Sequence, residues 1–538
     1  MNPNLIHPTT CLDRETDLLW VTPYGYSNSF CYVSKLILSN LSKVDPDLKI
    51  KVLCLGKTYE NDTFPKNYFN LPILTKNSLG FTDIDKEWFQ NFLVGMFTIP
   101  ELIIYLKPRL VISLYDSGPL IKQLRCIEGM NVRFIPYFPV DSEMTTFDDI
   151  FKSRTILTMS EHSRKMMIDQ DIKDVIVLPH IILSDEECKQ DEKDEKNEII
   201  TVGTVNANHM RKRLDIVVGA FINMYKKLDG KVNLLIKTTP ENNEKFGTHY
   251  NKSFNIENLK TIIKNNCRDI NMSTVEFITS VLTDEELKDV YSKIDVFIHA
   301  SSGEGFGLTP LEAVIKGNCI PIVSNNTSMP YLFGKDYFGL VECKKQPYFY
   351  SQTSPAYRCI MKCYKSSKLS MKYQSLTISQ LNPMIIVGPE SDITFNSYHP
   401  IDTIHLKNIK DFNVDVMIEK YPYFQVLMYD TQEFVSSQLG MDILGDETRA
   451  KQLWKSMYIR SKIDIYMCTF EELTNKITSR NGICSIPIMD DLLIKIEELL
   501  DMKNKDEVLK SLKDRISKIC DANLISEKLS IFIRSRMT

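Results

Sequence analysis

Residues 295–317 join an apolar run to a glycine-rich turn and then to a helix, and that order confines the surrounding chain to few folds. The run after Asp295, Val-Phe-Ile-His-Ala, lacks polar alternation and reads as a buried strand. Gly303, Gly305 and Gly307 follow, and a helix opening at Pro310 would bring backbone N–H groups to one point where an anion could sit. Thr309 reads as an N-cap, Pro310 as the first helical residue, Glu312 as the acid of a capping box and Gly317 as the helix end. Helix punctuation leaves Glu304, an acid between two glycines at a strand mouth, and Gly307 unexplained.

The same rhythm extends to both sides. Strands are expected at residues 17–22, 49–55, 109–115, 132–136, 155–158 and 175–178, with a helix reaching Leu41 and helical patterns near 86–106. Residues 185–198 are almost wholly charged and read as a solvated linker between domains. Strands then recur at 199–202, 232–236, 275–278 and 319–324, with helices over 213–227 and from Thr283, whose Asp-Glu-Glu sequel forms a capping box. Repeated βα units imply parallel sheets covered by helices, and two such lobes imply a cleft where a ligand binds.

From about residue 344 the rhythm stops. Strand candidates at 384–387 and 425–428 and a helix around 448–462 make 344–484 a folded α+β insertion in the second lobe. Helical patterns through Leu500, over 506–520 and over 523–536 then complete the fold from residue 485. The expected divisions are 1–184, 185–198, 199–343, 344–484 and 485–538. A chain of 538 residues exceeds what one core serves, in keeping with several domains.

Composition excludes some partners. A net charge of −4 with 25% charged residues offers no polyanion-binding surface, so nucleic acid is not an expected partner. No stretch approaches the roughly 18 uninterrupted apolar residues of a membrane span. The N-terminus lacks a basic region followed by an apolar core, which argues against secretion and leaves peripheral membrane contact open. Thirteen scattered cysteines read as reduced thiols in a cytoplasmic protein. Cys359 and Cys363 have no second ligand pair nearby, and Asp83 and Asp85 lie in a polar stretch that reads as a solvated turn, so no metal or other cofactor is expected.

Seven residues separate Glu304 from Glu312. Acid, glycine loop, helix start and second acid together resemble the Glu-x7-Glu motif of retaining glycosyltransferases with the GT-B fold, most closely glycosyltransferase family 4. The resemblance implies two Rossmann-like doubly wound lobes facing a cleft, a nucleotide-diphosphate sugar donor (UDP- or GDP-linked) and a glycan, protein or other hydroxyl acceptor. It implies that Glu304 grips the transferred sugar, that Gly305, Phe306, Gly307, Leu308 and Thr309 face sugar and phosphate, and that Glu312 accepts the ribose hydroxyls. The base would lie near residues 279–282.

Sugar transfer builds negative charge on the leaving diphosphate, which calls for cations and N–H donors. Gly203, read as ending the strand at 199–202 in a glycine-containing turn and followed by Arg211, Lys212 and Arg213, resembles the family's diphosphate-binding segment. Lys212 matches the lysine at the helix start with Arg211 beside it, whereas Thr204 stands where the family has arginine, leaving Arg211 or Arg213 to substitute. Three cations at a helix N-terminus oppose the macrodipole, a local cost that an anionic ligand relieves. In the first lobe, Gly25 resembles the family's glycine-rich loop after the first strand, and Asp116 ends a strand where relatives carry an acid or histidine toward the sugar. Asp116 before Ser117-Gly-Pro is also ordinary turn chemistry. His162 and His180 also match family positions and read as packing or surface residues. The alternative to an enzyme is a catalytically silent sugar-nucleotide or glycan-binding scaffold, which Thr204 and the single glycine at Gly25 favour. A GT-B epimerase would need acid and base groups that the sequence does not identify.

Overall fold

The computed structural model describes residues 16–23, 29–55, 68–70, 94–142, 147–183, 199–240, 253–267, 269–347, 384–387, 404–406, 425–429, 464–468 and 483–537. In the first lobe, β1 (Leu18–Pro23), β2 (Ile50–Leu55) and β4 (Leu110–Leu114) are buried at every position. Such continuous burial is what a parallel strand with helices on both faces requires. With β3 (Tyr68–Asn70), β5 (Arg133–Tyr137), β6 (Ile156–Thr158) and β7 (Val175–Val177) they form a parallel sheet of order β3-β2-β1-β4-β5-β6-β7. The helices of this lobe are α1 (Ser29–Val44), α2 (Thr98–Leu106), α3 (Ser117–Cys126) and α4 (Glu161–Ile168).

The second lobe repeats the plan. Its strands β8 (Ile200–Val205), β9 (Val232–Lys237), β10 (Val275–Ile278), β11 (Val296–His299), β12 (Pro321–Ser324) and β13 (Leu340–Val341) pair parallel in the order β10-β9-β8-β11-β12-β13. Its helices are α5 (Leu214–Lys227), α6 (Ile256–Asn266), α7 (Asp284–Ser292), α8 (Leu308–Gly317) and the short α9 (Met329–Phe333). Thr283 and Glu286 close the expected capping box on α7. The chain thus folds as two doubly wound α/β lobes, the GT-B arrangement.

In each sheet the strand order reverses once, between β1 and β4 and between β8 and β11. Ligands of open α/β sheets bind at the carboxyl ends of strands around such a reversal. Asp116 follows β4, residues 206–212 follow β8 and the glycine loop follows β11, so both reversals supply one cleft.

Three C-terminal helices tie the lobes together: α10 (Met489–Asp501) packs on α5, α11 (Lys505–Ile519) on α8 and α9, and α12 (Ala522–Met537) on α1. One hydrophobic cluster runs from Leu18 and Trp20 through Val202 and Val296 to Leu492, Ile516 and Ile533. Asp45 accepts from Arg534 at 2.6 Å and from Ser530 at 2.6 Å, fixing α12 to the first lobe.

Strand β14 (Cys343–Pro347) pairs antiparallel with β19 (Ile483–Pro487), placing Pro347 opposite Ile483. Between them in sequence, β15 (Met384–Val387), β16 (Ile404–Leu406), β17 (Gln425–Tyr429) and β18 (Asp464–Cys468) form a parallel sheet of order β16-β15-β17-β18. Strands were expected at the positions of β15 and β17; the helix expected around 448–462 lies outside the described residues, as do Gly25, Asp83, Asp85, Cys359, Cys363 and the linker 185–198.

Three local expectations are corrected. Helix α8 opens at Leu308 behind Gly307, whose φ of 101° is left-handed, and no side-chain cap bond forms. Thr309 is therefore inside the helix, Pro310 is its third residue, and no capping box explains Glu312. Gly203 is not a turn residue: it pairs with Phe297 inside β8, where a Cβ would run into the Leu235 carbonyl. Ser117-Gly-Pro begins α3 instead of making a turn, because proline is tolerated in a helix's first turn.

Candidate active site

The glycine loop after β11 is held from both sides. The Glu304 N–H donates to Thr327 Oγ1 at 2.8 Å, and the Ser328 hydroxyl donates to the Glu304 and Phe306 carbonyls at 3.0 and 2.6 Å. A Cβ on Gly303 would strike the Asp141 carbonyl, and one on Gly305 would strike Pro139. Both obstacles belong to the segment after β5 of the first lobe. The two glycines thus let the second lobe's loop lie directly against the first lobe, and Glu304 between them is carried to the lobe boundary.

There Glu304, only 6% exposed, meets two cations. Arg211 Nη1 lies 3.1 Å from Glu304 Oε2 and Lys212 Nζ 2.5 Å from Oε1. The Arg211 guanidinium also lies 3.3 Å from Asp141 Oδ2 and donates to the Gly303 carbonyl, so it bridges the lobes. Burial pushes the Glu304 carboxyl up, but Arg211 and Lys212 outweigh it and hold the group well below the usual carboxylate range. Burial and the neighbouring Arg211 pull the Lys212 ammonium down against Glu304's pull upward. The Arg211 guanidinium keeps its charge throughout, so Glu304 is held as the carboxylate.

His299, the last residue of β11, stands behind this cluster at 1% exposure. Its Nδ1 lies 3.4 Å from Thr309 Oγ1 and from Asn206 Nδ2. Its Nε2 lies 3.3 Å from Glu304 Oε1 but is aligned too poorly to make a hydrogen bond. Burial lowers its pKa more than Glu304 raises it, which favours the neutral ring.

Across the cleft, Asp116 occupies the N-cap position of α3 without making a cap bond. Its carboxyl is pushed up to about 6 by its surroundings in the cleft and by Asp141, against the pull of Arg211. Asp116 is at the same time exposed to solvent.

Glu312 is reached differently. It lies on α8 at 7% exposure, with Oε2 accepting from Tyr291 at 2.9 Å and Oε1 from Lys316 at 3.1 Å. Each oxygen retains a further lone pair for a ligand hydroxyl. Arg213, in contrast, is turned away from the cleft role considered for it. Its guanidinium grips Asp215 at 2.9 and 2.6 Å and is 5% exposed, so it serves the start of α5.

The structure therefore brings Glu304, Lys212 and Arg211 into contact and sets Gly305, Phe306, Gly307, Leu308 and Thr309 on the same loop and helix start. His180 packs its ring against Phe306 at 4.7 Å, and burial pushes its pKa to about 3. Sequence reasoning missed Asp141, His299, Tyr291 and Lys316. A histidine ending an apolar strand and an aspartate three residues after a buried aromatic were the available signals.

Residues 184–347 match the family model for glycosyl transferases group 1, so this part of the chain carries a glycosyltransferase domain. No curated protein matches the sequence. Among solved structures, that of OtsA without ligand is similar at a TM-score of 0.48 and 11% identity, covering 96% of this chain and 99% of that one. A trehalose-6-phosphate protein from E. coli bound with UDP-2-fluoro glucose is similar at 0.48 and 10%, covering 97% and 99%. A UDP-forming α,α-trehalose-phosphate synthase from Burkholderia xenovorans in complex with glucose-6-phosphate is similar at 0.43 and 9%, covering 60% and 90%. Likeness this distant adds nothing about substrate.

Proposed function

We propose that the protein is a retaining glycosyltransferase, of the family 4 type, that moves a sugar from a UDP- or GDP-sugar to a hydroxyl acceptor on a glycan or protein without a metal ion. The observation that carries the reading is the buried Glu304 carboxylate, flanked by Arg211 and Lys212, at the boundary of two lobes whose sheets both reverse there. Arg211 and Lys212 supply the positive charge that a departing diphosphate needs, in a site shielded from water. The N-terminus of α8 adds backbone N–H groups of Leu308 and Thr309 to the same anion. Glu304 then accepts hydroxyls of the transferred sugar, and Glu312 accepts those of the ribose. Asp116 faces the acceptor. Retention follows if the leaving phosphate takes the acceptor's proton on the face from which it departs.

The 344–484 segment is read as an insertion of the second lobe, entered and left through the β14–β19 ladder, and a cytoplasmic location is in keeping with the free thiols of the described cysteines. Among the described residues, no helix is long and apolar enough to cross a membrane.

Thermal unfolding with UDP, GDP, ADP, dTDP and their sugar conjugates, with and without EDTA, followed by donor hydrolysis, tests the reading. A ligand at about 100 times its dissociation constant adds roughly 2.7 kcal/mol, a visible shift in Tm. A selective, EDTA-insensitive shift with slow donor hydrolysis is expected, and Glu304→Ala should lower turnover at least about a hundredfold. Binding without hydrolysis would favour the silent scaffold, the reading that Thr204 supports.

A further inference from the structure

The cations at the cleft already hold carboxylate partners. Arg211 and Lys212 bring two positive charges, and Glu304 and Asp141 bring two negative ones, at 2.5, 3.1 and 3.3 Å. A diphosphate seated on these cations must therefore take the place of a carboxylate. The backbone around Glu304 is pinned by Thr327, Ser328 and the close-packed glycines, so only its side chain is free to yield. His299 Nε2 lies buried beside it with no hydrogen bond, so this arrangement leaves a polar atom of the site unsatisfied.

We propose that Glu304 is the resident anion of the diphosphate site, occupying it in the ligand-free protein, and that donor binding exchanges this carboxylate for the diphosphate and releases it to the sugar. This rests on the glycosyltransferase reading and adds a selection rule. A ligand must carry enough charge to replace Glu304 on both Arg211 and Lys212. A diphosphate does so with two phosphoryl groups, whereas a single phosphodiester serves one cation and leaves the other to Glu304. The exchange also couples the two halves of the donor: the sugar finds its carboxylate only when the diphosphate is in place.

The test is calorimetric binding of UDP, inorganic pyrophosphate and inorganic phosphate to wild type and Glu304→Gln. Removing the resident anion should tighten UDP and pyrophosphate at least tenfold, about 1.4 kcal/mol, and phosphate less, while donor hydrolysis is lost. An amide that merely lost a ligand contact would bind no tighter, and that result overturns the exchange while leaving the transferase reading intact. If neither protein binds UDP or pyrophosphate, the reading and the exchange fall together. Should Glu304→Gln not fold, Glu304→Ala carries the same test, since it removes the same carboxylate while Thr327 and Ser328 still hold the backbone. Tighter pyrophosphate binding by that variant supports the exchange, and unchanged binding refutes it.

Discussion

Lys316, near the end of α8 in the second lobe, holds its ammonium 5.8 Å from the centre of the Tyr32 ring on α1 of the first lobe. The same ammonium donates to Glu312 at 3.1 Å. The carboxylate proposed to accept the ribose is thereby tied, through one side chain, to the opposite lobe.

Replacing Lys316 by Met should leave Glu312 as a buried charge supported only by Tyr291. Breaking a buried pair from one side costs about 3 kcal/mol, and this pair is 10–12% exposed, so a loss of about 2–3 kcal/mol in chemical denaturation is expected. The double variant Lys316→Met, Glu312→Gln should recover much of it. No recovery would mean that Lys316 acts through packing on Tyr32. Burial pulls the Lys316 ammonium down, but Glu312 and Tyr32 raise it above the ordinary 10.5, so the contribution is complete below pH 10.5 and fades only above it.

Lys212→Ala should weaken UDP at least tenfold and uridine less than twofold, because the ammonium lies beside Glu304 and not beside Glu312, the carboxylate proposed for the ribose. Calorimetry with the two ligands checks this. Equal losses for both would remove Lys212 from the phosphate role.

Much of this was legible in the sequence because parallel strands buried on both faces leave unbroken apolar runs: β1, β2, β4, β9 and β11 stand within a residue or two of where those runs place them. Glu304 and Lys212 were legible because an acid between glycines and cations before a helix have no ordinary packing role. The misses have physical causes. Gly203 looked like a turn glycine, but its missing Cβ makes room for the Leu235 carbonyl and Ile294 inside the sheet. Thr309 had the pattern of an N-cap, yet the left-handed Gly307 starts the helix two residues earlier and leaves the hydroxyl near His299 and Asn206. Asp141 offered only its place three residues after a buried aromatic, because its partner is a cation 70 residues away on the other lobe.

Asp116 should give the site its pH dependence. Its pKa is raised from 3.8 to about 6, so the fold favours the protonated form. That contribution is complete below pH 3.8 and is lost as pH rises through about 6. Asp116→Asn should therefore gain Tm over wild type at pH 7 and not at pH 4. If the carboxylate also accepts the acceptor's hydroxyl, kcat/KM for the acceptor should rise through about pH 6 in wild type and stay low and flat in Asp116→Asn. A Tm difference equal at both pH values would show an ordinary surface aspartate.

Gly305 supplies the test of whether lobe contact matters to catalysis. A methyl group there would overlap Pro139, whose ring and backbone cannot rotate aside, so Gly305→Ala must separate the loop from the first lobe or distort it. The cations proposed for the diphosphate lie on the second lobe and should keep UDP affinity within about threefold, whereas transfer, if it needs both lobes, should fall at least tenfold in kcat/KM. Gly118→Ala is the control: nothing lies within 4 Å of its missing Cβ, and alanine favours α3, so stability should hold or rise slightly. Unchanged kcat/KM in Gly305→Ala would mean that the glycine is needed only to let the chain turn, and that the close approach to Pro139 has no part in the reaction.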